Sequence, residues 1–375
     1  MWLPAAEALR RLNVKPQTLY ANVSRGRIRA KPDPAEPRRS LYNGDDVDRL
    51  ARRTAGRPRA EAVATEAINW GEPVLASAIS TVTNGRLSYR GRDAVDLAGN
   101  ATLEQIAELL WGGFSSLPPT KSVAVPGIGA AFVALAARAA ADPPSLLRTP
   151  IALRADASSV LATVADAIAG AGEAPVHLRL AAHFHRPEAA DDLRAALVLL
   201  ADHELNASTF AARVTVSTGA SLAAGALAGL AALNGPLHGR ASRAITALAD
   251  DLSHGADAMT ALLEWLGEGR AVPGFGHRLY PHGDVRAAAL LNRLRLPSAY
   301  ANLLAASGAI LDERPNVDFA LAALSAAHNL PETAPMEIFA LARSVGWLAH
   351  MLEQAQSGAL IRPRARYVGP KPAVT

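Results

Sequence analysis

The chain has 375 residues, half of them hydrophobic and few aromatic, with no cysteine and a formal net charge of +4. That length allows two or more domains around a sizeable core, and the missing cysteines exclude a disulfide framework or a cysteine-held metal. Alanine and leucine abound while β-branched runs are scarce, which predicts a mainly all-α fold.

The charge is unevenly spread. Residues 1–60 hold fourteen Lys/Arg against six Asp/Glu, a net +8, and the other 315 residues are net −4. A basic appendage on a near-neutral body is the natural reading. Pro4–Leu12 reads as a helix with Ala5, Ala8, Leu9 and Leu12 on one face. Asn13-Val14 turns the chain, and Lys15–Ser24 forms a second helix that Gly26 stops. Arg27–Arg29 and Ser40–Tyr42 are expected as two strands of a small wing, joined by the basic segment Lys31–Arg39. Asp45–Arg53 closes the unit as a third helix, and Arg57-Pro58-Arg59 has the composition of a linker.

Further on, short β-rich pieces around Ala76–Val82 and Gly85–Asp93 precede a helix over Leu103–Trp111. The Ala-rich runs near 127–141 and 219–233 are apolar but shorter than a bilayer requires, so they are expected as buried helices. No secretory signal order opens the chain, and the expected setting is cytoplasmic, away from membranes. His177, His183 and His185 lie close together but match no ligand spacing, and no metal site is expected.

Four later stretches concentrate polar chemistry. Asp202-His203-Glu204-Leu205-Asn206-Ala207-Ser208-Thr209 interrupts an apolar helix. Its polar groups either satisfy one another at a helix junction or serve a ligand. Gly235-Pro236-Leu237-His238-Gly239 ends an Ala-rich helix and leaves room around an imidazole. Pro273-Gly274-Phe275-Gly276-His277-Arg278-Leu279-Tyr280 bends sharply, and Arg286 follows nine positions after His277. An imidazole and a guanidinium on such a loop suit an anionic ligand. Pro315-Asn316-Val317-Asp318 alone reads as a turn with a capping aspartate. Phe339 to His350 reads as a helix carrying Arg343, and Ile361–Tyr367 as a tail carrying Arg362.

The N-terminal order of helix, turn, helix, basic wing and helix resembles the winged helix-turn-helix of the MerR and excisionase type. That resemblance implies a domain over 1–56 with a linker over 57–65. Its second helix would enter the major groove of DNA while wing arginines meet phosphates. A solvated basic hairpin used for packing remains the other reading.

From Leu87-Ser88-Tyr89-Arg90-Gly91 through Leu110-Trp111-Gly112-Gly113 and the four stretches above, the chain resembles the citrate synthase family, in the family's order and spacing. The resemblance implies a large helical domain over 66–239 and 331–375 and a small one over 240–330. It implies condensation of acetyl-CoA with oxaloacetate and hydrolysis to citrate and CoA, an acyltransferase reaction. The related 2-methylcitrate synthase reaction with propionyl-CoA is an alternative. No cofactor is bound permanently, since the acyl-CoA is a co-substrate. By resemblance His238, His277 and Asp318 are catalytic, and His203, Arg286, Arg343 and Arg362 bind substrate. In the family the last arginine comes from the other subunit, so a homodimer is expected.

These residue types suit the chemistry. A methyl beside a thioester is a weak acid and needs an aimed carboxylate, Asp318. The enol oxygen needs a donor, His238, and the ketone needs polarising and protonating, by His277. A dianion needs planar cations, and His203 joins three arginines in that role. Arg240, Pro281 and Ala320-Leu321 depart from the family's pattern around the thioester. Those departures and the basic N-terminus leave a second hypothesis open: a DNA-binding regulator whose synthase-like body senses a thioester or keto acid.

Overall fold

The computed structural model describes residues 2–12, 19, 22–23, 28–33, 40–48, 75–113, 116–118, 125–239, 241–255, 257–267, 272–311, 313–365 and 367–370. The chain forms two compact units, one of residues 1–76 with 364–375 and one of residues 77–363.

In the first unit, strand β1 (Trp2–Pro4) leads into helix α1 (Ala5–Leu12). Strands β2 (Ala30–Pro32) and β3 (Ser40–Asn43) complete an antiparallel sheet of order β1-β3-β2. Leu3, Ala8, Leu12, Leu19, Ile28, Tyr42 and Val47 make its core. The expected first helix is present, but a strand precedes it. The first wing strand begins at Ala30 rather than Arg27, because Ile28 is drawn into the core and the Arg29 side chain pairs with Asp46. Residues 44–48 are helical, as are the described residues 19 and 22–23. The rest of the expected second helix, most of the wing loop, residues 49–53 and the linker lie outside the described residues.

The second unit opens with an antiparallel meander: β4 (Ser80–Thr83), β5 (Arg86–Tyr89) and β6 (Arg92–Asp93). Asn84-Gly85 joins the first two strands with both residues at positive φ, the geometry that suits the twist of a two-residue hairpin. Helices follow: α2 (Ala94–Ala98), α3 (Leu103–Trp111), α4 (Ile128–Ala141), α5 (Pro150–Ala169), α6 (Val176–His183), α7 (Ala190–Leu200), α8 (Ala207–Ser217) and α9 (Leu222–Leu233). Then come α10 (Ser242–Ser253), α11 (Ala258–Gly267), α12 (Val285–Leu291), α13 (Ser298–Ile310), α14 (Val317–Ala327) and α15 (Ala334–Ser357). α3 has the expected bounds, because Thr102 and Gln105 form a capping box and Gly112 closes it in the left-handed conformation.

α15 is the axis of this unit, buried along most of its length and packed by α3, α5, α7, α8 and α9. The two Ala-rich helices differ. α9 is largely buried, but α4 buries fully only Ala131 and Leu135, and Val133 stands exposed. Ile128, Phe132 and Ala134 pack beside them against the core, so α4 is an amphipathic helix with one exposed face rather than the wholly buried one expected. No described helix is long and apolar enough to cross a membrane.

Two hydrophobic clusters divide the unit. The larger runs through residues 79–233, Ala287 and Leu290 of α12, and 317–352, and the smaller joins α10, α11, α13 and the loop at Val272 and Phe275. α14 belongs to both. Val317, Ala320, Leu321 and Leu324 face the larger cluster, and Phe319, Ala322 and Ala323 face the smaller.

Candidate active site

The loop of residues 272–280 is clamped to the segment before α14. Phe275 forms an antiparallel bridge with Pro315, Gly276 N–H donates to Arg314 O at 2.9 Å, and Asn316 N–H donates to Gly274 O at 2.8 Å. Gly276 has φ +73°, a left-handed conformation that is strained for any residue with a Cβ. This clamp fixes the loop that carries His277 against the N-terminus that carries Asp318. Asp284 tightens it. Its carboxylate caps α12, accepts from Val317 N–H at 3.1 Å, and grips Arg286 through two bonds of 2.9 and 2.7 Å.

His277 is half-buried, and its Nδ1 accepts from Leu279 N–H at 3.2 Å. The ring proton therefore sits on Nε2. Burial, with Arg286 nearby, lowers its pKa to about 4. His203 comes from the turn between α7 and α8. It meets His277 edge-on at 5.1 Å between ring centres, and its Nε2 lies 2.9 Å from Tyr280 Oη. Burial first, then Arg286, Arg343, His277 and His238, holds its pKa well below the ordinary value.

His238 follows α9. Its Nε2 lies 2.9 Å from Ser208 Oγ, and its ring meets Phe339 edge-on. Burial and Arg343 lower its pKa to about 4. All three imidazoles are thus neutral donors or acceptors at neutral pH, not cations.

Arg286 and Arg343 are both buried, at 2% and 1% exposure. Arg343 Nε donates to Leu200 O, and its guanidinium lies 4.8 Å from the centre of the Phe339 ring. Its Nη2 is buried without a hydrogen-bond partner. Burial, opposed by Asp202 and reinforced by Arg286, lowers its pKa to about 10. Two buried guanidiniums within electrostatic reach of each other, one with unspent donors, describe a place built for an anion.

Asp318 is half-buried at the second residue of α14, with its backbone N–H capped by Asn316. Burial raises its pKa to about 6, although Arg286 and Arg343 act against that. Those same two arginines act on His203, and Arg343 acts on His238, so the carboxyl and the rings share one electrostatic neighbourhood.

The structure therefore gathers His203, His238, His277 and Asp318 around Arg286 and Arg343, six of the seven residues expected from sequence. Arg362 differs: it is exposed on the segment whose Ile361 N–H donates to Ser217 Oγ. Three neighbours had not been singled out from sequence. Tyr280 engages His203 and stacks under Arg286, Ser208 engages His238 and Trp347, and Phe339 backs both His238 and Arg343. Phe339 sits four residues before Arg343 on a helix, a spacing that foretells their contact. Ser208 and Tyr280 lie inside the quoted stretches, but nothing local reveals their partners. Among the described residues no group of three or more His, Asp or Glu is gathered as a metal ion requires.

A family model described as the citrate synthase C-terminal domain matches residues 127–364. The chain is 31% identical to citrate synthase 2 of Bacillus subtilis over 80% of its own length and 95% of that protein's. It is 30% identical to a 2-methylcitrate synthase of Shewanella oneidensis, over 80% and 94%. The crystal structure of citrate synthase from Thermotoga maritima superposes with a TM-score of 0.66 at 27% identity, covering 81% of this chain and 96% of that one. A citrate synthase from Thermoplasma acidophilum, solved with carboxymethyl coenzyme A and oxaloacetate, has the same fold with a TM-score of 0.66 at 24% identity, over 83% and 97%.

Proposed function

The chain belongs to the citrate synthase family, and from that premise we propose that it joins an acyl-CoA to oxaloacetate and hydrolyses the thioester, releasing CoA. The observation that carries this is the pair of buried arginines, 286 and 343, with neutral imidazoles and a raised carboxyl beside them. The dicarboxylate of oxaloacetate satisfies the spare Nη2 of Arg343, with Arg286 beside it already paired to Asp284. His277 Nε2–H polarises the ketone and then yields its proton to the new hydroxyl. Asp318, ionised above its pKa of about 6, takes a proton from the carbon beside the thioester. His238 donates to the enol oxygen once the Ser208 hydroxyl turns from Asn206 Oδ1 to His238 Nε2, which moves the ring proton to Nδ1. His203 orients the keto acid.

The smaller cluster of α10, α11 and α13 supports reading residues 240–330 as a small domain that closes over a larger one, with α12 and α14 packed against the larger cluster. The exposed Val133, Leu146, Leu147 and Ile151, at 72, 60, 96 and 74%, support a face between two copies of the chain. In that dimer Arg362 reaches the partner's oxaloacetate. The separate core and the net +8 of the N-terminal unit support a winged-helix domain over residues 1–56 that contacts DNA phosphates.

Release of CoA thiol, followed with oxaloacetate and either acetyl-CoA or propionyl-CoA, tests the reaction and names the acyl group. A folded sample that turns over neither thioester rules the reaction out. A gel shift on unselected DNA that fails even at low salt rules out the nucleic-acid role.

A further inference from the structure

Asp202 stands beside His203, yet the reaction above gives it no part. It is fully buried, and its Oδ2 accepts from Ser80 Oγ and from His350 Nε2, the latter at 3.2 Å. Ser80 Oγ in turn accepts from Glu204 N–H at 3.0 Å, so one hydroxyl ties down both flanks of His203. Glu204 sits at φ +50°, a left-handed conformation that costs about 1–2 kcal/mol for a residue with a Cβ. Its carboxylate is held by Val82 N–H at 2.7 Å. The turn is thus held in a strained form from the side of β4.

One face of α15 holds it from the other side. Arg343, Gly346 and His350, at i, i+3 and i+7, bond to Leu200 O, Ala201 O and Asp202 Oδ2 in succession. His350 is itself fixed. Arg213 Nη1 donates to its Nδ1 at 3.2 Å, and Arg213 is held by Glu353 at 2.7 Å and Gln354 at 2.8 Å. A guanidinium only donates, so Nδ1 keeps its lone pair and the ring proton sits on Nε2, aimed at Asp202.

We propose that Asp202 and His350 are positioning residues: a buried carboxylate–imidazole pair, locked by Arg213 and Ser80, that aims His203 into the site and holds it in register with Arg343. The inference rests on the functional reading above for its kinetic consequence, and on geometry alone for its structural one.

The test uses the full chain with His350→Leu and His350→Gln. The glutamine amide restores an N–H toward Asp202, and leucine does not. In histidine-selective 15N NMR the His203 ring nitrogens are expected to move in His350→Leu and to stay in place in His350→Gln. KM for oxaloacetate is expected to rise about tenfold or more in His350→Leu and to recover in His350→Gln, with the acyl-CoA KM unchanged in both. Unmoved His203 signals in His350→Leu overturn the proposal. So does a loss shared by both variants that follows their melting temperatures. If the unaltered chain turns over neither thioester, the functional reading fails, and the NMR comparison still decides the positioning claim.

Discussion

Asp318 shows how one residue is tuned against its own stability. Burial lifts its pKa to about 6, close to where a base must work, while His238 and His277 are pushed down to about 4. The acid limb of kcat/KM for the acyl-CoA is therefore expected to have a midpoint near pH 6, with turnover falling below it. A profile flat from pH 5 to 8 contradicts Asp318 as the base. The folded pKa lies above the unfolded value, so the folded chain binds the extra proton between roughly pH 4 and 6, and stability declines as pH rises through that window. Asp318→Asn removes this cost at neutral pH. A gain of about 1–2 kcal/mol is expected after discounting for partial exposure. Turnover is expected to fall by about 10²–10⁴. Thermal melts and thiol release at pH 7.5 on the same preparation read both effects.

At the scale of elements, α15 is both a core helix and the wall that supports the His203 turn. Gly346 is the point of closest approach, since a Cβ there would fall on Asp202 Oδ1 and Ala201 O. Helix propensity alone favours alanine over glycine by about 1 kcal/mol. Overpacking a site with no room costs about 1–3 kcal/mol or more, and here the obstacle is backbone and a pinned carboxylate. Gly346→Ala is therefore expected to destabilise, by about 1–2 kcal/mol net in urea unfolding, and to raise KM for oxaloacetate. A more stable variant with unchanged kinetics contradicts this packing argument. The loop and α14 make a second such unit: the clamp at Phe275 and Pro315 sets His277 and Asp318 in one frame before any ligand arrives.

At the scale of the whole molecule, Arg362 stands exposed in the single chain. If it serves the partner's site, Arg362→Ala and His277→Ala dimers are each defective, yet mixing and reassembly restore activity. Half of the random dimers then carry one complete site, so about a quarter of full activity returns. No recovery after verified subunit exchange places Arg362 outside the partner's site. The exposed apolar residues of α4 and the turn before α5 give the matching check: Leu147→Asp, at a position 96% exposed, is expected to shift the chain toward monomer in sedimentation without loss of helix content.

Sequence alone determined the helical class, the bounds of α3, the breaks around His203, His238 and His277, and the chemical repertoire, because caps, glycines and apolar periods act over a few residues. It did not determine that Ser208 would meet His238, that Tyr280 would meet His203, or that Asp202 would be shared by Ser80 and His350, since these pairs lie 30, 77, 122 and 148 positions apart. Nor did it separate the buried α9 from the half-exposed α4, whose alanines read alike. Local rules place a side chain on an element; which groups share a dry interior, and how far their charges and pKa values shift, is decided only when distant segments pack together.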